Sequence, residues 1–219
     1  MNAVMMECQF LGRIGYDEAY HLQRSLWRQR ALGEIPDQLL LLEHSPVITL
    51  GRNARSEHLL HTSAKLESLG VQVREADRGG DVTYHGPGQL IGYPIINLQP
   101  ERMDVLRYLR DLEEVLIEVC EHYGFYAGRR EGQTGVWVED RKIASIGVKI
   151  SRWVTYHGFA LNVSTDLSAF DLIVPCGNSG VKMTSIQEVT GRAPELEEVA
   201  QVAADKMNLI FHTMEIDRA

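Results

Sequence analysis

The chain has 219 residues and a formal net charge of −8, from 22 Lys+Arg against 30 Asp+Glu. With 44% hydrophobic and 24% charged residues it can bury one continuous core, so residues 1–219 are expected to form a single domain, and disorder, collagen and coiled coil are excluded as the main state. The acidic balance argues against nucleic-acid binding, no apolar run approaches the roughly 20 residues of a membrane helix, and no secretory leader is visible at Met1–Phe10.

Cys8 falls in an expected N-terminal strand. Residues Tyr16–Leu32 then read as an amphipathic helix, with Ala19, Leu22, Leu26 and Trp27 on one face. Leu39–Leu42 and Val47–Leu50 are buried strands, or one bent strand, around His44-Ser45-Pro46. A short helix between Thr62 and Leu69 stops at Gly70, and Val71–Glu75 alternates as a strand. Val105, Leu109, Leu112, Leu116 and Val119 step by helical intervals, and Gly124 follows where a helix end favours a left-handed residue. The period then changes to two: Val136 and Val138, Ile146 to Ile150, and Phe159 to Val163 predict three strands, the last two joined near Ser151-Arg152. Leu196, Val199, Ala203, Met207, Ile210 and Met214 predict a closing helix. Strands in runs favour an α+β fold, a mixed β-sheet packed by helices, over a doubly wound nucleotide-binding sheet.

Four glycines and a proline fall within Arg78–Gln89 and predict two sharp turns around a short alternating strand. Such turns let a ligand approach the backbone and expose N–H groups to an oxyanion; an ordinary hairpin is the alternative. Gly86 to Gly92 departs from a dinucleotide fingerprint by one residue and leads into an extended run, so that reading is rejected. Three cysteines make no disulfide framework and point to a reducing cytosol. Cys120 lies on the apolar helix face, whereas Cys176 sits in the turn-forming run Val174–Gly180 and is either a nucleophile or an incidental loop thiol. A nucleophile would need a base or cation, for which His85, His157, Lys142, Lys149 and Lys182 are all open candidates. His58 and His61, lacking a third ligand, read as a solvated face rather than a metal site.

Arg78–Gln89, the strand Lys142–Gly147 and the turn Pro175-Cys176-Gly177 together resemble the lipoyl(octanoyl) transferase family, over roughly Gly12 to Thr190. The resemblance implies the mixed-sheet catalytic domain shared with biotin-protein and lipoate-protein ligases. It implies transfer of an octanoyl group from octanoyl-acyl carrier protein to the lipoyl-domain lysine of 2-oxoacid dehydrogenase E2 subunits and the glycine cleavage H protein. Cys176 matches the thioester-forming nucleophile and Lys142 the lysine that activates it. Arg78, Gly79, Gly80, Asp81, Val82, Thr83, Tyr84 and His85 match the acyl-substrate loop, and Ser145, Ile146 and Gly147 with Gly158, Phe159 and Ala160 match two strands lining the site. Ile186 stands where leucine is more usual. No cofactor, metal, nucleic acid or membrane is implied, and a cytoplasmic monomer is expected. An ATP-dependent lipoate or biotin ligase and a non-catalytic acyl-binding protein are the alternatives; in a ligase the Pro-Cys-Gly thiol would have no task. Docking of acidic carrier domains would need a basic face, for which Arg52, Arg55, Arg129, Arg130, Arg152 and Lys182 are candidates.

Overall fold

A computed structural model describes residues 5–177 and 180–216, with the side chains of Cys176 and of residues 212–216 outside the description. In chain order the elements are β1 (Glu7–Ile14), α1 (Tyr16–Ala31), β2 (Gln38–His44), β3 (Val47–Leu50), α2 (Ser63–Ser68), β4 (Gln72–Glu75), β5 (Val82–His85), β6 (Gln89–Ile95), α3 (Val105–His122), β7 (Gly128–Arg130), β8 (Gln133–Val138), β9 (Arg141–Ser151), β10 (Val154–Asn162), β11 (Lys182–Met183), α4 (Ile186–Thr190) and α5 (Leu196–Ile216). Short 3₁₀ turns occupy Ser56–His58, Leu167–Leu172 and Pro175–Gly177.

The strands divide between two sheets. The larger is ordered β1-β2-β6-β10-β9-β8-β7, antiparallel apart from β1 beside β2, with β11 added in parallel to the start of β9. The smaller is ordered β4-β3-β5. Leu39–Leu42 and Val47–Leu50 are therefore separate strands in different sheets, and the chain crosses between sheets at Ser45-Pro46.

One face of the large sheet carries the main core, where α3 and α5 pack on Val136, Val138, Phe159, Leu161 and Val163. Asp104 caps α3 by accepting from the Arg107 N–H at 3.0 Å, which satisfies one donor of the open first turn. Tyr108 rather than Val105 begins the buried stripe: Val105 is exposed, while the Tyr108 ring meets Phe211 edge-on. Cys120 lies fully buried in that stripe, and burial pushes its thiol up to about 12, a packing residue. The opposite face carries α1, with Ala19 buried and Leu22, Leu26 and Trp27 packed on Leu40, Tyr93 and Tyr156. Asp17 and Glu18 in the first turn of α1 and Arg28 and Arg30 in the last suit its dipole.

β5 was expected to alternate polar and apolar faces, yet Val82, Thr83, Tyr84 and His85 are all buried. Val82 and Tyr84 join Ile48, Phe170 and Ile173 in the small sheet's own core, and Thr83 and His85 face the other way, toward the large sheet. Among the described residues no helix is long and apolar enough to cross a membrane.

Candidate active site

Between the two sheets lies a cavity of about 340 Å³, walled by the loop ahead of β5, β5 itself, the middle of β9 and β10, and the start of β8. Of the residues singled out from the sequence, Arg78, Gly80, Asp81, Val82, Thr83, His85, Lys142, Ser145, Ile146, Gly147, His157, Gly158, Phe159 and Ala160 line it. Tyr84 does not: its ring packs edge-on against Phe170 in the small sheet's core. Gly79 does not either: its N–H donates to the Val148 carbonyl at 2.9 Å and ties the loop to β9. Gly80 is the loop glycine that needs to be one, with φ +83, whereas a Cβ on Gly79 would meet only an ordinary contact.

Arg78 is buried and bonded to protein. Its guanidinium donates to Thr49 Oγ1 and the Thr49 carbonyl, each at 2.8 Å, and to the Gly79 carbonyl at 3.0 Å. A planar fork so engaged braces the loop across β3 while keeping a positive charge in the cavity wall.

Lys142 lies at the start of β9, a strand end where a lysine is ordinarily solvated. Instead it is 4% exposed. An irregularity in the pairing of β8 with β9 between Val136 and Trp137 places Trp137 opposite Lys142, with Nζ 5.5 Å from the ring centroid. Gly135 leaves the room for this side chain: a Cβ there would lie 2.6 Å from Lys142 Cε. The Gly135 N–H donates at 3.0 Å to Glu113 Oε1. Glu113, fully buried on α3, is neutralised by Arg110 at 2.5 Å and Arg129 at 3.1 Å. The stretch that packs on Lys142 is thus anchored to α3 by a paired, buried carboxylate, an arrangement no sequence pattern announced.

The other candidate bases divide by environment. His85 is buried, with Nδ1 2.8 Å from Gln89 Oε1. Burial, then the His44 ring and the Arg78 guanidinium, push it down to about 3, so at neutral pH it is an uncharged donor to Gln89. His157 is buried at φ +55 with Nε2 donating to Asp77 Oδ1 at 2.8 Å; burial lowers it and the carboxylate partly opposes that shift. Asp77, also accepting from the Tyr156 hydroxyl, is held below the usual carboxylate range, mainly by His157. Neither Lys149 nor Lys182 lines the cavity, and Lys182 is exposed.

Cys176 lies in the turn Pro175–Gly177, its side chain outside the described residues together with Asn178 and Ser179. The turn's setting is clear from its backbone. The Val174 N–H donates to the His58 carbonyl at 2.8 Å and the Gly177 N–H to the Val174 carbonyl at 3.0 Å. Gly177 has φ +69, and a Cβ on it would fall 2.6 Å from Asp81 Oδ2 and 2.9 Å from His58 Cε1. The turn therefore rests on Asp81, a residue of the cavity wall. His58, read from the sequence as a solvated face, has a side chain only 13% exposed and donates from Nδ1 to Asp81 Oδ2 at 2.8 Å. Spacing within one segment could not reveal a partner 23 positions away.

Tyr16, Tyr93 and Trp137 also line the cavity and were not singled out. Trp137 faced away from the core between Val136 and Val138, which was the available signal. The Tyr16 hydroxyl and the Trp137 indole nitrogen are buried without a partner among the described residues, so the wall holds polar atoms a ligand could satisfy. Of the basic docking candidates, Arg129 pairs with Glu113 and Glu114, Arg130 lies 4.4 Å over Trp137, and Arg55 approaches Glu57 at 3.5 Å.

Residues 15–208 match the family described as the lipoyl protein ligase A/B catalytic domain. The chain is 50% identical over 212 residues to an octanoyltransferase of Koribacter versatilis, spanning 94% of this chain and 84% of that protein. It is 52% identical over 204 residues to an octanoyltransferase of Chloroflexus aggregans, spanning 92% of each. A solved lipoate-protein ligase A bound with ATP superposes with a TM-score of 0.75 at 14% identity, over 95% of this chain and 86% of that one. The biotin protein ligase of Aquifex aeolicus superposes with a TM-score of 0.58 at 14% identity, over 95% and 71%. At such identity these structures speak for the fold alone, and the fold is the mixed-sheet ligase catalytic domain expected from the motifs.

Proposed function

The chain belongs to the lipoyl protein ligase A/B catalytic-domain family and is an acyltransferase that moves octanoyl groups in lipoate biosynthesis, and from that premise we propose a route through Cys176 and Lys142. The donor in this reading is octanoyl-acyl carrier protein. Lys142 takes the proton of the Cys176 thiol, the thiolate attacks the octanoyl carbonyl, the tetrahedral oxyanion is met by backbone N–H groups of the glycine-rich turns, and the carrier thiolate leaves and takes up that proton. The acyl group waits as a thioester of similar energy. The lysine amine of a lipoyl domain then attacks; an amide forms, Cys176 leaves, and the amine's proton passes by way of Lys142. The acceptors are the lipoyl domains of 2-oxoacid dehydrogenase E2 subunits and of the glycine cleavage H protein. Residues 1–219 act as one catalytic domain, a cytoplasmic monomer without a cofactor.

The observation that supports this reading most is the union, in one cavity wall, of buried Lys142 with Asp81, on which the cysteine's turn rests. The substrate loop and strand residues supply the remaining walls. Each buried methylene of an eight-carbon tail contributes about 0.8 kcal/mol, so such a slot can select chain length. The test is intact mass after mixing the protein with octanoyl carrier protein, with nucleotide and Mg²⁺ removed. A single octanoyl adduct mapped to Cys176, chased onto a lipoyl domain, is expected. Strict dependence on ATP would move the protein to the ligase reading, and an adduct on Cys8 would remove Cys176 from its role.

A further inference from the structure

Asp81 is a carboxylate placed against the residue that follows the nucleophile. Its Oδ1 accepts from the Val82 N–H at 2.7 Å, and its Oδ2 from His58 Nδ1 at 2.8 Å. The two side chains are 13% and 12% exposed, so the pair is largely shielded from water. Because a carboxylate only accepts, Nδ1 carries the proton, and Nε2 faces outward, 4.0 Å from Glu57. The backbone of the same segment is stitched to the stretch leading into the cysteine turn: Val174 N–H to the His58 carbonyl, Leu60 N–H to the Leu172 carbonyl at 3.1 Å, and a bridge between Leu59 and Ile173. Segment 58–60 therefore touches the turn twice, through the backbone and through Asp81.

A carboxylate this close opposes formation of a thiolate on the neighbouring residue unless its charge is held by a donor. Glu57 adds a more distant negative charge from an exposed position, and Arg78 and Lys142 add positive charge from the cavity wall that Asp81 shares with them. His58 is the side chain that bonds Oδ2. We propose that His58 is a positioning residue for Cys176: by donating to Asp81 Oδ2, the oxygen nearest Gly177, it offsets part of the carboxylate's charge beside the nucleophile's turn and fixes the surface on which Gly177 sits. This rests on the Cys176 reading above, and its test does not depend on turnover.

The experiment follows iodoacetamide alkylation of Cys176 across pH, mapped by peptide mass so that Cys8 is scored separately, in the full chain and in three variants. His58→Leu removes the donor and leaves the carboxylate. It should slow Cys176 alkylation at pH 7 about tenfold and displace the pH profile upward. His58→Leu with Asp81→Asn removes the charge as well and should return the rate to within about threefold of the parent chain. Asp81→Asn alone should make Cys176 no slower to alkylate than the parent, and it decides the matter should His58→Leu fail to fold. An unmoved profile in folded His58→Leu, a double variant as slow as His58→Leu, or a slower Asp81→Asn would overturn the proposal. Failure of the parent chain to form an octanoyl adduct would instead sink the thioester reading and leave the alkylation result standing.

Discussion

Lys142 and Cys176 belong to one proposed reaction but are held in different ways. Lys142 rises from a strand paired on both sides, and its surroundings are set by the ladder, by Gly135 and by the Glu113 anchor on α3. Among the described residues the Cys176 turn belongs to no ladder; it hangs on the His58 carbonyl and on the Asp81–His58 pair beside Gly177. Strand ladders fix a side chain through many backbone bonds, whereas a turn is placed by the few side chains it meets. The lysine's geometry should therefore resist surface changes and yield to a clash within the sheet, and the cysteine's should respond to single polar contacts.

The comparison breaks most severely at the nucleophile. Cys176→Ala should abolish the adduct and cut transfer by more than about a thousandfold, read as octanoyl-lipoyl domain formed per minute. Lys142→Ala should cost roughly 10²- to 10³-fold. Lys142→Arg keeps a cation that cannot act as a base, so quenched mass spectrometry should find acylation of Cys176 partly recovered and release to the acceptor amine still impaired. Near parental rates for Lys142→Ala in both steps would detach that side of the comparison.

Smaller effects sharpen it. Gly80→Val forces a β-branched residue to φ +83 in the cavity wall and should lose about a hundredfold in transfer with most of the fold kept. Gly79→Ala, with room for its methyl, should lose far less, and equal losses would show that the loop as a whole matters rather than one backbone angle. Gly135→Ala would set a methyl 2.6 Å from Lys142 Cε and from the Ala144 carbonyl oxygen, and should lower transfer and Cys176 alkylation together, each roughly tenfold.

The smallest effect is in stability. Above pH 6.5 the His85 imidazole is neutral in folded and unfolded chains alike; between 6.5 and about 3 only the unfolded chain takes up a proton. Stability should then fall as pH drops, by up to about 2 kcal/mol from this group at pH 5, with buried His44 and His157 adding in the same direction. Urea melts at pH 7 and pH 5 measure it, and His85→Gln should shallow the slope.

Local pattern was enough for most elements. Helical spacing located α3 and α5, period-two runs located β8, β9 and β10, and glycine punctuation marked the loop ahead of β5. These features depend on near neighbours, and near neighbours are what a sequence displays. The family resemblance carried by three motifs in order also implied the ligase-like fold and octanoyl transfer. Tertiary structure alone decided that β2 and β3 enter different sheets, that Tyr84 turns from the cavity while His85 faces it, and that Lys142 is buried beside Trp137. It alone joined His58 to Asp81 and Glu113 to Gly135. Each is a pairing of polar or packed groups distant along the chain, favoured because burial leaves a charge or an N–H no solvent partner, and periodicity carries no trace of which partner the fold supplies.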